Sequence, residues 1–246
     1  MIHGVAIPGL GMAAHELPEV KGLVRLENPE IGQGPTIGAT SYSLYDVAEL
    51  HAQKIEALAN ASAASPFWVL GMSMGGMVAA ILASDLRSRL PRSCRFLFLV
   101  TSANTKVVPA VDDQRLEEWM RARPGSVESF RSVMAPFFSK EFTARSPEVI
   151  EAYASYRASG ANGQSPKAFM RQVSALRGFD GALYFSRIKQ DEAAVISGAE
   201  DYVLDPRHAA ELRRLLPHAE HTGLTGVGHM INLERPAIFQ PWSRGL

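Results

Sequence analysis

The chain has 246 residues, 46% of them hydrophobic and 20% charged, and its 25 Lys and Arg are balanced by 25 Asp and Glu. This is the composition of an ordinary soluble globular protein, one domain or one domain with a sizeable insertion, long enough to bury a substantial core. A neutral chain offers no electrostatic footprint to a phosphate backbone, which argues against a nucleic-acid partner, and a single cysteine, Cys94, excludes an internal disulfide.

The opening segment, "MIHGVAIPGL", has no basic flank and only a short apolar stretch. It reads as neither a signal peptide nor a membrane span, so a cytoplasmic protein is expected. Within it, "GVAIPG" (4–9) is the first of six short apolar runs. The others are "GLVRLE" (22–27), "FWVLG" (67–71), "RFLFLVTS" (95–102), "AAVISG" (193–198) and "EHTGLTG" (220–226). Runs of this length, bounded by turn residues and lacking clean alternation, suit strands buried on both faces of a parallel sheet. Cys94 stands at the start of the fourth run and reads as a small buried hydrophobe.

Helical patterns separate the runs. "SLYDVAELHAQKIEAL" opens with Ser43 and Asp46 in capping-box spacing and lines up Leu44, Val47, Ala48, Ile55 and Leu58. "DPRHAAELRRLL" offers Asp205 as N-cap and Pro206 at the first helical position. Alternating strand and helix predicts an α/β doubly wound fold. From 109 to 187 the alternation stops, and helix-like pieces punctuated by Pro124-Gly125, Ser146-Pro147 and Ser165-Pro166 take over. This predicts a core formed by 1–108 and 188–246 and a helical cap inserted at 109–187.

The third run leads into Gly71-Met72-Ser73-Met74-Gly75, followed by small residues at helical spacing. A strand turning sharply into a helix strains the residue at its apex, and side chains two positions to either side would collide there. Glycine at 71 and 75 avoids that, and Ser73 stands clear at the carboxyl end of the sheet. The structural alternative is a glycine-rich turn carrying an incidental serine. The flanking strand and helix favour a nucleophile.

On these residues, together with Gly198-Ala199-Glu200-Asp201 after the fifth run and Gly226-Val227-Gly228-His229 after the sixth, the chain resembles the α/β-hydrolase family. The likeness is to its cap-bearing branch of small esterases, enol-lactonases and carbon–carbon bond hydrolases. That family orders its triad as nucleophile, acid, histidine, and the resemblance implies Ser73, Asp201 and His229 in those roles. Glu200 is adjacent, but Asp205 suits a helix cap and Asp191 precedes its strand, at the wrong end of the sheet. The resemblance also implies an oxyanion hole from the backbone N–H groups of Leu10 and Met74. In that first loop the family often has His-Gly, whereas this chain has Pro8-Gly9. The first run matches the family's third strand, so a sheet of about six strands, all parallel, is expected.

No cofactor or metal is implied: His218 and His221 lie close together, but no acidic partner has metal-ligand spacing. The expected partner is a small-molecule substrate, and oligomeric state is left open. Three readings follow: a serine hydrolase of a carboxylic ester, thioester or lactone; a carbon–carbon hydrolase or lyase; and a non-catalytic ligand receptor. A complete triad favours the first two. The segment 109–187 is rich in Trp, Phe, Tyr and Met; most of these are expected to pack the cap's own core, and a minority to line an apolar pocket facing Ser73.

Overall fold

Six strands form one sheet in the order β2-β1-β3-β4-β5-β6, every neighbouring pair parallel. They are β1 (Ile2–Ile7), β2 (Leu23–Arg25), β3 (Ala63–Met72), β4 (Cys94–Leu99), β5 (Ala193–Gly198) and β6 (Glu220–Leu224). The computed structural model describes residues 1–37, 40–111 and 113–239. All six apolar runs are strands, and the expected six-stranded parallel sheet is the one observed.

The side-chain period of two explains why the central runs lack alternation. In β4, Phe96 and Phe98 join one buried cluster with Val5, Ile7 and Val69, while Leu97 and Leu99 join a second with Ala6, Leu70 and Met72. Both faces are covered, so every position is apolar. A fully buried phenylalanine such as Phe96 or Phe98 contributes roughly 2–3 kcal/mol.

The first face is covered by α1 (Leu44–Ser62), α2 (Met74–Ala83) and α9 (Arg207–Leu215). The Ser43–Asp46 capping box is formed: the Ser43 N–H donates to Asp46 Oδ2 at 2.7 Å and the Asp46 N–H to Ser43 Oγ at 3.2 Å. Asp205 accepts from the Arg207 N–H at 2.9 Å, and α9 begins one residue later than the sequence suggested. In α2, Gly76 is required by packing, since a Cβ there would lie 1.9 Å from Thr101 Oγ1.

Between β4 and β5 run α3 (Asp113–Met120), α4 (Val127–Met134), α5 (Lys140–Arg145), α6 (Pro147–Ala158), α7 (Pro166–Arg177) and α8 (Gly181–Phe185). The sequence did not single out α5 or α8. At six and five residues they are too short to show a helical period, and each is capped by a side chain, Ser139 and Asp180 respectively. The expectation of a separate cap core fails. Met134, Phe138, Phe142 and Tyr153 pack with Leu70, Leu97 and Leu99, and Ala175, Leu176 and Phe185 pack with Phe96 and Phe98. The segment is continuous with both layers of the sheet.

Candidate active site

Ser73 stands between the end of β3 and the start of α2, with φ 54° and ψ −119°. This conformation is strained for any residue with a Cβ. Its neighbours explain how it is held. A Cβ on Gly71 would lie 2.4 Å from the Gly75 carbonyl oxygen, and one on Gly75 would lie 2.2 Å from the Ile7 oxygen. Only glycine lets the turn close against β1. The Ser73 N–H donates to the Leu99 carbonyl at 2.9 Å, tying the apex to β4. Met72 and Met74 are buried on opposite faces of the sheet, so their side chains anchor the turn from both sides while Ser73 stays partly exposed.

Two further loops meet the serine. Asp201 follows β5, and His229 follows β6. His229 Nδ1 lies 2.7 Å from Asp201 Oδ2, and His229 Nε2 lies 3.1 Å from Ser73 Oγ. A carboxylate only accepts, so the imidazole proton sits on Nδ1 and the Nε2 lone pair is free to accept the serine O–H. The other oxygen of Asp201 accepts from the Val203 and Leu204 N–H groups, both at 2.9 Å, which fixes the carboxylate plane. His229 and Asp201 are almost fully buried, with side chains 5% and 8% exposed.

The His229 loop is braced from the inserted segment. Buried Glu234 accepts from the Gly228 N–H at 3.0 Å, the Ser139 N–H at 3.1 Å and the Ser139 hydroxyl at 2.6 Å. Phe137 packs edge-on to the imidazole with ring centroids 5.7 Å apart, and it contacts Trp119, which in turn contacts Phe169. These three rings make a continuous apolar row that ends against His229.

The loop after β1 passes over the serine, where a Cβ on Gly9 would lie 3.2 Å from Ser73 Cβ. Met74 is the first residue of α2, so its N–H has no intrahelical acceptor. Among the described residues, the Leu10 N–H also has no acceptor. Below the loop, Asn28 Nδ2 donates to the Pro8 carbonyl at 2.9 Å and Asn28 Oδ1 faces His51 Nε2 at 3.0 Å. Burial holds His51 down at about 3, and the charge of Lys54 adds to that. Proline at position 8 is thus accommodated through its carbonyl, the group that proline retains.

A profile of the alpha/beta hydrolase family matches residues 3–239. The chain belongs to the alpha/beta hydrolase family. No curated protein sequence matches it significantly. Among solved structures, it resembles the enol-lactonase from Burkholderia xenovorans LB400 (TM-score 0.73, 19% identity, 97% of this chain and 88% of that one). It also resembles a thermophilic esterase from Thermogutta terrifontis (0.74, 18%, 99% and 88%). A third likeness is to a meta-cleavage product hydrolase from Pseudomonas fluorescens IP01 (0.73, 17%, 97% and 88%). At these identities the likeness shows the alpha/beta hydrolase fold alone.

All three residues that the sequence singled out for a triad are brought together; Met74 follows the serine directly, and Leu10 lies in the loop whose Gly9 meets it. Sequence reasoning missed Glu234 and the residues of α6 and α7 that touch the Gly9–Met12 loop, since none lies in a motif. A separate open cleft of about 920 Å³, lined by His15, Glu19, Lys21, Arg25 and Glu27 among others, runs beside β2. It contains none of the triad candidates, and the aligned hydrogen bonds make Ser73 the better-supported site. Buried Cys94 has its thiol pushed up to about 12 by burial, which keeps it unreactive. No helix among the described residues is long and apolar enough to cross a membrane.

Proposed function

We propose that this protein is a serine hydrolase that cleaves a carboxylic ester, thioester or lactone of a small to medium apolar substrate through an acyl-enzyme. The observation that carries the reading is the hydrogen-bond chain from Asp201 through His229 to Ser73, at 2.7 and 3.1 Å, built on a strained strand-to-helix turn. The neighbouring structures are named as an esterase, an enol-lactonase and a meta-cleavage product hydrolase, and ester and lactone hydrolysis share the acyl chemistry of this reading.

In this reading, Ser73 Oγ attacks the substrate carbonyl carbon as its proton passes to His229 Nε2. Asp201 stabilises the imidazolium that forms and holds its orientation. The carbonyl π electrons move onto oxygen, and the N–H groups of Leu10 and Met74 receive the charge, each worth roughly 3 kcal/mol in the transition state. Collapse expels the alcohol or thiol, which takes the proton back from His229. Water then repeats the sequence on the acyl-enzyme, releasing the acid and free Ser73. The segment 109–187 acts as a cap whose ring wall of Trp119, Phe137 and Phe169 contacts the acyl chain and keeps bulk water away.

The test is covalent labelling with a fluorophosphonate, followed by kinetics on p-nitrophenyl esters of increasing acyl length. Wild type is expected to label at Ser73 and to turn over short and medium esters. Ser73→Ala is expected to lose both while remaining folded. Ester hydrolysis that persists in Ser73→Ala would remove the serine from the mechanism.

A further inference from the structure

The hydrolase reading needs the Leu10 N–H to stay aimed at a developing oxyanion, and nothing in the sheet does that. β1 ends at Ile7, so the loop from Pro8 to Met12 projects beyond the strand and carries glycine at positions 9 and 11. A loop with two glycines has wide conformational freedom. An oxyanion hole works only when its donors are already oriented before the charge appears.

Resting on that reading, we propose that Gln172, assisted by Arg157, is a positioning residue that locks the loop and so orients the Leu10 N–H for transition-state stabilisation. Gln172 lies on α7 and is 1% exposed. Its Oε1 accepts the Gly11 N–H at 3.0 Å, and its Nε2 donates to the Pro29 carbonyl at 3.1 Å. Both ends of the carboxamide are occupied, so its orientation is determined. From the other side, the Gly11 carbonyl accepts Arg157 Nη1 at 2.7 Å and Asn162 Nδ2 at 3.3 Å. Gly11 itself sits at φ +70°, in the left-handed region.

The peptide geometry carries this to Leu10. The Gly9 carbonyl accepts the Met12 N–H at 3.3 Å, and in a planar trans peptide the N–H of the next residue points the opposite way. That next residue is Leu10. The peptide on its far side contains the Gly11 N–H, which Gln172 holds. With both flanking peptide planes anchored, the Leu10 N–H keeps a single direction. The inserted helices therefore do more than select substrate: α6 and α7 supply the rigid wall for one oxyanion donor.

The deciding experiment compares wild type with Gln172→Met, which keeps length and volume but offers the Gly11 N–H no oxygen acceptor, and with Gln172→Glu, which keeps one. Two quantities are measured for each: kcat and KM on a p-nitrophenyl ester, and the affinity of a trifluoromethyl ketone. The ketone adds Ser73 to form a hemiketal whose oxyanion needs the same donors. Gln172→Met is expected to lose roughly 10–100-fold in kcat, with ketone affinity falling by the same factor and KM nearly unchanged. Gln172→Glu keeps the acceptor for Gly11 but sets its second oxygen against the Pro29 carbonyl, so it is expected to recover only part of the loss, in kcat and ketone affinity alike. Folded Gln172→Met with wild-type kcat, or with a changed KM alone, overturns the proposal. If Gln172→Met does not fold, Arg157→Lys is expected to give a smaller loss, again equal in kcat and ketone affinity, and its absence overturns the proposal equally. A wild-type protein inert to ester, ketone and fluorophosphonate overturns the hydrolase reading and this proposal with it. A reactive wild type beside an unimpaired variant sinks only the proposal.

Discussion

Glu234 and Ser139 are joined by two hydrogen bonds, from the serine N–H at 3.1 Å and its hydroxyl at 2.6 Å, and the same carboxylate also takes the Gly228 N–H at 3.0 Å. One buried side chain thus fastens the His229 loop to the start of α5. Glu234→Ala leaves two backbone donors buried without an acceptor, and it should lower unfolding stability on the order of 3 kcal/mol. Glu234→Gln should cost far less, because its carbonyl can still accept both amides while its NH2 donates to the Ser139 hydroxyl. Urea unfolding of the two variants checks the order.

The backbone at Ser73 predicts an inversion of the usual glycine penalty. At φ 54° and ψ −119° a Cβ is unfavourable, whereas glycine adopts such angles readily. Ser73→Gly should therefore be more stable than Ser73→Ala by about 1 kcal/mol, although alanine normally stabilises relative to glycine. Denaturation midpoints of the two variants measure this directly, and equal midpoints would mean the turn is unstrained.

Two buried histidines make stability sensitive to acid. His51 is held at about 3 and His208 at about 4, in both cases chiefly by burial, against an ordinary value of 6.5. His208 Nδ1 lies 3.1 Å from the Ser102 hydroxyl, and His51 Nδ1 has no hydrogen-bond partner. The folded chain keeps both neutral, while the unfolded chain binds protons below 6.5. Their contribution is complete above that pH and is lost as pH falls towards 4 and then 3. At pH 5 the loss should be about 2 kcal/mol for each histidine relative to pH 7. His51→Gln should remove about half of the combined decline in urea midpoint between pH 7 and pH 5.

The ring wall predicts graded specificity. Trp119 contacts both Phe137 and Phe169, and Phe137 lies against His229. Truncating Trp119 or Phe169 to alanine should shift the preferred p-nitrophenyl ester to longer acyl chains, with about 1–3 kcal/mol of discrimination redistributed per methylene. Labelling of Ser73 by the fluorophosphonate should persist in both. An unchanged chain-length profile would put the acyl group elsewhere.

The parts of this architecture that were legible in the sequence are those written in local patterns. Phe96 to Leu99 signal a strand covered on both faces because all four are apolar, and Gly71 and Gly75 signal a tight turn because their spacing does. Asp201 and His229 stand in short loops after strands, so family resemblance could find them. Gln172 could not be found this way. It is an ordinary polar residue in a helix, and its partner Gly11 lies 161 positions away. Glu234 and Ser139, 95 positions apart, are hidden for the same reason. The packing of Tyr153 in one cluster with the sheet residues was equally invisible, because helical periodicity gives the apolar face of a helix but not the surface it meets.

The order of the strands has a consequence for how the chain matures on the ribosome. β6, which delivers His229, is the last strand of the sheet to be synthesised, and it joins at the edge, pairing with β5 alone. The neighbouring strands β2, β1, β3 and β4 are complete within the first hundred residues, with Ser73 already at the end of β3. A growing chain can therefore close that part of the sheet as it emerges, in keeping with the vectorial folding of domains during synthesis. Until Glu220–Leu224 adds to the edge, His229 is not held at hydrogen-bonding distance from Ser73, and the mechanism proposed above has no base for the hydroxyl. On the proposed reading, the serine stays unarmed until the sheet is finished.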